Sequence, residues 1–441
     1  MLPVTCRSKI ALVVAVLCGL PLALTPSSLQ AQAKSAPRMD AAIRAAFDAC
    51  VADERPDTTD ADKRTAACSR AIQSHMLSAD ELARARFGRG SARMALGNRI
   101  MADGDFQEAL RRYDSAIDPR NPDALDLYRR GATLDALSQN DRALKDFNEA
   151  IRLDPGSALA YYGRGVLLAG RMRAYQRAIE DFDKVLRLVP GDVKTLIRRA
   201  DAHRQSGSYG RALVDLDAAV AKAPGNAEAL AVRGLVNAQR GEVELARRDY
   251  EAALAIDPHN VGALLRLGTL FGEEGLYGEA IARLNAALAI EDHNAVAYYN
   301  RGYFYFSIAD YEHALADYNA AIEFDPTLGR AFNNRCLVRA VMGRDLVGAL
   351  ADCDAALRLL PSSVDVRSTR GLVYLKIGEP AIATVEYDAA LRIDPNHAIS
   401  LYGRGRAYLE EGRTAEGDAD IAAGRALDPD VAKKFSIYGF E

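Results

Sequence analysis

Catalysis or metal binding needs reactive side chains that can converge on one point. The chain carries six histidines and six cysteines in 441 residues. The histidines are His75, His203, His259, His293, His313 and His397, and no two of them stand at metal-binding spacing. His259, His293 and His397 fall at matching points of separate repeats. His203 falls on an inward position, as a core histidine would. No Cys-x-x-Cys motif and no glycine-rich phosphate loop after a strand is present. Glu273-Glu274 and Glu410-Glu411 sit where turns are expected and read as solvent-facing. These residues point to no catalytic centre, no metal site and no cofactor.

Arginine is more orderly. It recurs at Arg89, Arg130, Arg164, Arg199, Arg233, Arg301, Arg335, Arg370 and Arg404, and a carboxylate recurs at Asp146, Asp181, Asp215, Asp249, Asp317, Asp352, Glu386 and Asp420. One segment breaks both series together, with Leu267 and Arg283. Their joint loss implies that the two positions pair within one helical hairpin. Pairing with the preceding hairpin fits worse, because it sets Arg301 against Arg283 and Arg130 against Arg112. Arg89 against Arg112 is the misfit that the chosen pairing leaves. An arginine ladder for an anionic ligand is the functional alternative. Ion pairs that set helix register are the simpler reading.

Cys336 follows Arg335 and Cys353 follows Asp352, and Cys50 and Cys68 take the same two slots of the first hairpin. Each pair replaces a pair of touching side chains. In an oxidising compartment these four are expected as two disulfides, Cys50–Cys68 and Cys336–Cys353. Free buried cysteine is the alternative.

The elements that must position these residues are written as a repeated phrase. "KDFNEAIRLDP" (Lys145 to Pro155), "RDYEAALAIDP" (Arg248 to Pro258), "ADYNAAIEFDP" (Ala316 to Pro326) and "VEYDAALRIDP" (Val385 to Pro395) share one pattern, and the period is about 34 residues. In the unit opening at Ala295, Tyr298, Gly302 and Tyr305 lie on one face of a helix. Ala309-Asp310 breaks the pattern, and Ala314, Tyr318 and Ala321 restart it on a second helix that Asp325-Pro326 ends. Small residues let the two helices approach, and the aromatic fills the space beside them. A hairpin cannot bury both of its faces, but a stack of hairpins can.

This order of aromatic, small, aromatic, Ala, aromatic, Ala and Pro resembles the tetratricopeptide repeat. Units open near Ala83, Ala124, Ala158, Val193, Ala227, Val261, Ala295, Gly329, Val364 and Ala398. The resemblance implies an all-α, right-handed superhelical solenoid of antiparallel helical hairpins. The expected division is a signal peptide at 1–33, a divergent capping hairpin at 34–82, tandem units over 83–429 and a C-terminal cap at 430–441. Asp292 replaces one closing Pro, and Gly417 and Gly424 replace the alanines of the last unit. The first full unit is about seven residues too long, and the excess is placed near Gly97 to Asp103. Phe435, Ile437 and Tyr438 are expected to tuck onto the last hairpin.

The resemblance also implies a concave groove, lined by the first helices, for extended peptides or partner helices. Tyr299, Tyr303 and Phe306 form an aromatic stripe displaced from the packing face, with Leu265 and Thr269 on one side and Arg330 and Asn333 on the other. An aromatic cluster with a polar rim is how a binding hot spot looks. Packing between hairpins is the alternative. The Lys/Asn/Arg set that clamps a terminal carboxylate in related chaperone-binding repeats is absent.

At the N-terminus, Arg7 and Lys9 precede an apolar run from Ile10 to Leu24, and Ala31-Gln32-Ala33 follows. This is the form of a secretory signal peptide cut near Ala33. The run is shorter than the roughly 20 residues that span a bilayer. Leu17 before Cys18 argues against a lipoprotein. The net charge of -4 steers nothing toward nucleic acid. The expectation is an exported bacterial scaffold, periplasmic and without stable membrane insertion after cleavage. Its partner would be a protein or peptide, or else a glycan if it serves polysaccharide or outer-membrane export.

Overall fold

The structure, a computed structural model, describes residues 39–52 and 61–440. The expected signal peptide, with Cys6 and Cys18, lies outside the described residues. Twenty-three helices follow one another, and no strand occurs among the described residues. A first hairpin, α1 (Ala41–Val51) and α2 (Ala61–Gln73), leads to α3 (Ala79–Ala95) and α4 (Arg99–Ala116). Then come α5 (Ala124–Ala136), α6 (Asn140–Leu153), α7 (Ala158–Gly170), α8 (Tyr175–Leu188), α9 (Val193–Gln205) and α10 (Tyr209–Lys222). The middle of the chain holds α11 (Ala227–Gln239), α12 (Val243–Ile256), α13 (Val261–Glu273), α14 (Tyr277–Ile290), α15 (Ala295–Ser307) and α16 (Tyr311–Phe324). The last are α17 (Gly329–Met342), α18 (Leu346–Leu359), α19 (Val364–Ile377), α20 (Pro380–Ile393), α21 (Ala398–Glu410), α22 (Thr414–Leu427) and the short α23 (Val431–Ile437). This is the expected all-α solenoid of antiparallel hairpins.

Local chemistry sets the boundaries. Ser157, Asp192, Asn226, Asn260 and Asn294 each accept a hydrogen bond from a backbone N–H of the helix they precede. Within most hairpins the second helix presses a large side chain onto a small residue of the first, and in several of them an aromatic lies on a glycine. A Cβ on Gly165 would lie 2.7 Å from the Phe182 ring. Phe147, Phe182, Tyr250, Tyr318 and Tyr387 are buried in this slot, each contributing about 2 to 3 kcal/mol. First helices of successive hairpins touch, as α5 does α7 and α17 does α19, whereas second helices make no comparable contact. The first helices therefore line the inside of the curve.

Two details differ from the sequence reading. The excess length of the first full unit is not near Gly97, where the turn is as short as elsewhere. Instead α3 begins at Ala79 and α4 runs on to Ala116. Ala102, Phe106 and Ala109 are the packing residues of α4, all buried. The extra turns supply a second aromatic, the buried Tyr113. The glycines Gly417 and Gly424 lie inside α22. They let it lie close to α21: a Cβ on Gly405 would sit 2.8 Å from the Gly417 carbonyl. At the C-terminus Phe435 is fully buried and Tyr438 partly so, but Ile437 is half-exposed and Val431 takes the buried place. The cause is helical phase: Val431 and Phe435 share one face of α23, and Ile437 points the other way.

Candidate functional site

The arginines are committed to the framework. Arg130 Nε and Nη2 donate to Asp146 at 2.7 and 2.8 Å, a bidentate pair between α5 and α6. Arg164–Asp181, Arg199–Asp215, Arg301–Asp317, Arg335–Asp352 and Arg404–Asp420 repeat it. The free Nη1 then reaches the preceding hairpin, at the residue after its large packing side chain. Arg164 meets Asn148 at 2.7 Å, Arg199 meets Asp183 at 2.5 Å and Arg301 meets Asn285 at 2.6 Å. Pairing with the preceding hairpin, disfavoured from sequence, thus occurs as well, through a different slot. Each guanidinium rivets three helices, which leaves no ladder of open cations for an anion.

Arg89 is no misfit. Its partner is Asp105, at 2.7 and 2.8 Å, with Arg86 and Arg93 on the same carboxylate. Arg130 uses Asp114, which follows Tyr113. Elsewhere, as with Phe147 on Gly131 and Gly163, one aromatic serves both its own hairpin and the next; here Phe106 and Tyr113 divide the two tasks. At the gap, Leu267 is buried among Leu264, Leu270, Leu284 and Phe304, and Arg283 is exposed.

The cysteines close two hairpins: Cys50 is joined to Cys68 and Cys336 to Cys353. All four are fully buried. His203 is buried, and desolvation lowers its pKa. No group of His, Cys, Asp or Glu side chains that could hold a metal ion occurs among the described residues.

On the concave side, Tyr303 is 48 % exposed. Its two stripe companions are not equally open. Tyr299 lies 6.1 Å from the Tyr318 ring, and Phe306 lies 5.6 Å from Tyr311. Both are half-buried against Ala314, Tyr318 and Val338. The outermost stripe of α15 is instead Val296, 53 % exposed, with Tyr303, at i and i+7. Tyr299, Arg330 and Asn333 come together on a cleft of about 710 Å³, closed on its far side by Leu360, Pro361 and Asp365. Tyr303 and Phe306 do not line it. Burial raises the Tyr299 pKa, so its hydroxyl is a donor at neutral pH. Asn333 Oδ1 is buried without a hydrogen-bond partner.

A larger cleft, about 1050 Å³, was not foreseen. It opens in the N-terminal half among Met94, Asp135, Arg171, Lys194, Arg198 and Glu228. Burial raises the Asp135 carboxyl pKa even though Arg171 approaches it to 3.8 Å. These residues stand at the inward positions of their first helices, a signal that was available from the repeat register.

Comparison with known proteins agrees with this geometry. Residues 128–193, 197–261 and 368–430 match one tetratricopeptide-repeat family model, and residues 295–328 match a second. Over 72 residues the chain is 32% identical to a tetratricopeptide repeat and J domain-containing co-chaperone of Cryptococcus neoformans var. grubii; the match takes in 16% of this chain and 14% of that protein's length. Among solved structures, the human IFIT1 dimer with PPP-AAAA superposes with a TM-score of 0.50 at 13% identity, over 88% of this chain and 95% of that one. A tetratricopeptide repeat protein from Parabacteroides merdae gives 0.44 at 19% identity, over 56% and 99%. More than half of the chain thus matches one description, and its hairpins repeat one small-against-large contact: it belongs to the tetratricopeptide-repeat family.

Proposed function

We propose that this chain is a non-catalytic scaffold of the cell envelope that holds an extended segment or helix of a protein partner on its concave face. The observation that carries the reading is Tyr303. It is a large aromatic left half-exposed on the inner surface, in mid-array, beside the cleft of Tyr299, Arg330 and Asn333. A rigid aromatic next to hydrogen-bonding side chains provides binding energy at low ordering cost. Export is supported by the two buried disulfides, which form in oxidising compartments, and by the basic-then-apolar N-terminal sequence. No helix of the described residues is long and apolar enough to cross a membrane.

Peptide and glycan arrays probed with the purified protein and its Tyr303→Ala variant test the reading. Peptides that bind the parent and lose the variant are the expected result. Signal confined to glycans would overturn the assignment of a protein partner.

A further inference from the structure

The C-terminal segment does more than cover the last hairpin. Val431 and Phe435 of α23 are fully buried, and the Phe435 ring centre lies 4.8 Å from that of Tyr402 of α21, tilted against it. Gly439, at φ +80°, then turns the chain back. Phe440 comes to lie under Lys376, whose Nζ is 4.9 Å from the ring centre, and joins the cluster of Leu375, Tyr387 and Ala407. Tyr438 and Phe435 form one wall of a cavity of about 210 Å³, and Asn333, Leu337, Ser368 and Leu372 face them from α17 and α19. Asn333 also lines the open cleft beside Tyr299, so the two spaces are neighbours that share a wall. Three aromatics of the tail, at i, i+3 and i+5, therefore occupy the C-terminal end of the groove.

The tail fits it incompletely. The Tyr387 hydroxyl, on a fully buried ring that lines the cavity, has no hydrogen-bond partner, and neither has Asn333 Oδ1. The chain shows what is missing. In the equivalent slot, Tyr318 has its hydroxyl bonded by Asn334 Nδ2 at 3.3 Å. The residue that stands to Tyr387 as Asn334 does to Tyr318 is Gly403. A Cβ there would lie 2.6 Å from Tyr387 Oη, so the hydroxyl reaches past Gly403. Two unpaired buried polar atoms and a void all weaken the tail's hold.

We propose that the tail is a placeholder. The C-terminal end of the groove takes a partner segment with aromatic side chains at the tail's spacing and a polar side chain for Tyr387 and Asn333, and that segment displaces Tyr438 and Phe440. The proposal rests on the reading of the concave face as a peptide-binding surface.

The probe is a fluorescein-labelled peptide of residues 429–440. It is titrated by anisotropy into the full chain and into the full chain carrying Tyr438→Ala and Phe440→Ala, which leave Val431 and Phe435 in place. A tethered competitor acts at an effective concentration of about millimolar, so the variant should bind the peptide at least about tenfold more tightly than the parent. A peptide with Tyr438 and Phe440 changed to Ala should not bind. Equal affinity of the two chains, or equal binding of the two peptides, overturns the proposal. If the double variant loses its helical circular dichroism, Phe440→Ala alone must shift the affinity in the same direction. Failure here, with Tyr303→Ala still abolishing capture of array peptides, would remove the placeholder and leave the groove reading standing.

Discussion

Asp105 and Asp317 occupy the same slot in different company. Burial pushes both carboxyls up. At Asp105 the hydrogen bonds from Arg89 and Arg86 and the charges of Arg89 and Arg93 outweigh burial and hold the pKa below the usual 3.8. At Asp317 Arg301 does not outweigh it, and the pKa lies above that value. The signs are therefore opposite. A depressed folded-state pKa means that the Asp105 network stabilises at neutral pH and loses that contribution as pH falls through the lowered value, below about pH 4. The raised pKa of Asp317 makes stability fall as pH rises through the window above 3.8. Asp105→Asn leaves three guanidinium groups facing one another and should cost about 3 to 5 kcal/mol at pH 7, read from the urea midpoint. It should also flatten the acid limb of the stability curve. Asp317→Asn should cost less and leave that limb in place. Equal costs would contradict the account.

At the scale of the hairpin, the Arg–carboxylate rivet and the disulfide both tie a first helix to its second. Reducing either bridge should cost about 3 kcal/mol in the chain-entropy model, measured by urea unfolding with and without reductant. Mass mapping without reduction should join Cys50 to Cys68 and Cys336 to Cys353. The gap at Leu267 and Arg283 offers a sharper test, because Glu251 already stands after Tyr250, where the second partner of a rivet would be. Leu267→Arg alone buries a charge near Arg283 and should cost about 3 kcal/mol or more. Arg283→Asp, on an exposed residue, should change stability by less than about 0.5 kcal/mol. Together they should couple favourably by at least about 1 kcal/mol; additive effects would show that the rivet does not depend on the pair. The joint loss at this hairpin is also what made the ion pair legible in sequence. Asp105 was hidden because α4 carries two aromatics, Phe106 and Tyr113, and Arg112 stands directly before the second. The second contact of each guanidinium was hidden for another reason: it crosses between hairpins, and periodicity within one unit carries no information about that register.

For the whole molecule, period and small-against-aromatic spacing fixed the stack, since no other arrangement buries both faces of every hairpin. Nine first helices, from α5 to α21, begin at the residues that the repeat named. The groove was less legible. Its aromatics could be placed on a helix face, but their exposure depends on the neighbouring hairpin, which covers Tyr299 and Phe306 and leaves Tyr303 open. The clefts were less legible: the repeat register names the inward positions of each first helix, but which of them meet across successive hairpins is not written within one unit. The central claim is that the chain folds as a rigid curved support so that its inner surface can bind. One paired measurement on Tyr303→Ala tests it: thermal melting, and affinity for a peptide selected on the array. The account predicts a loss of about 2 kcal/mol in binding, roughly thirtyfold, with the melting temperature nearly unchanged. A large loss of melting temperature, with the affinity of the folded fraction intact, would contradict it by making Tyr303 a core residue.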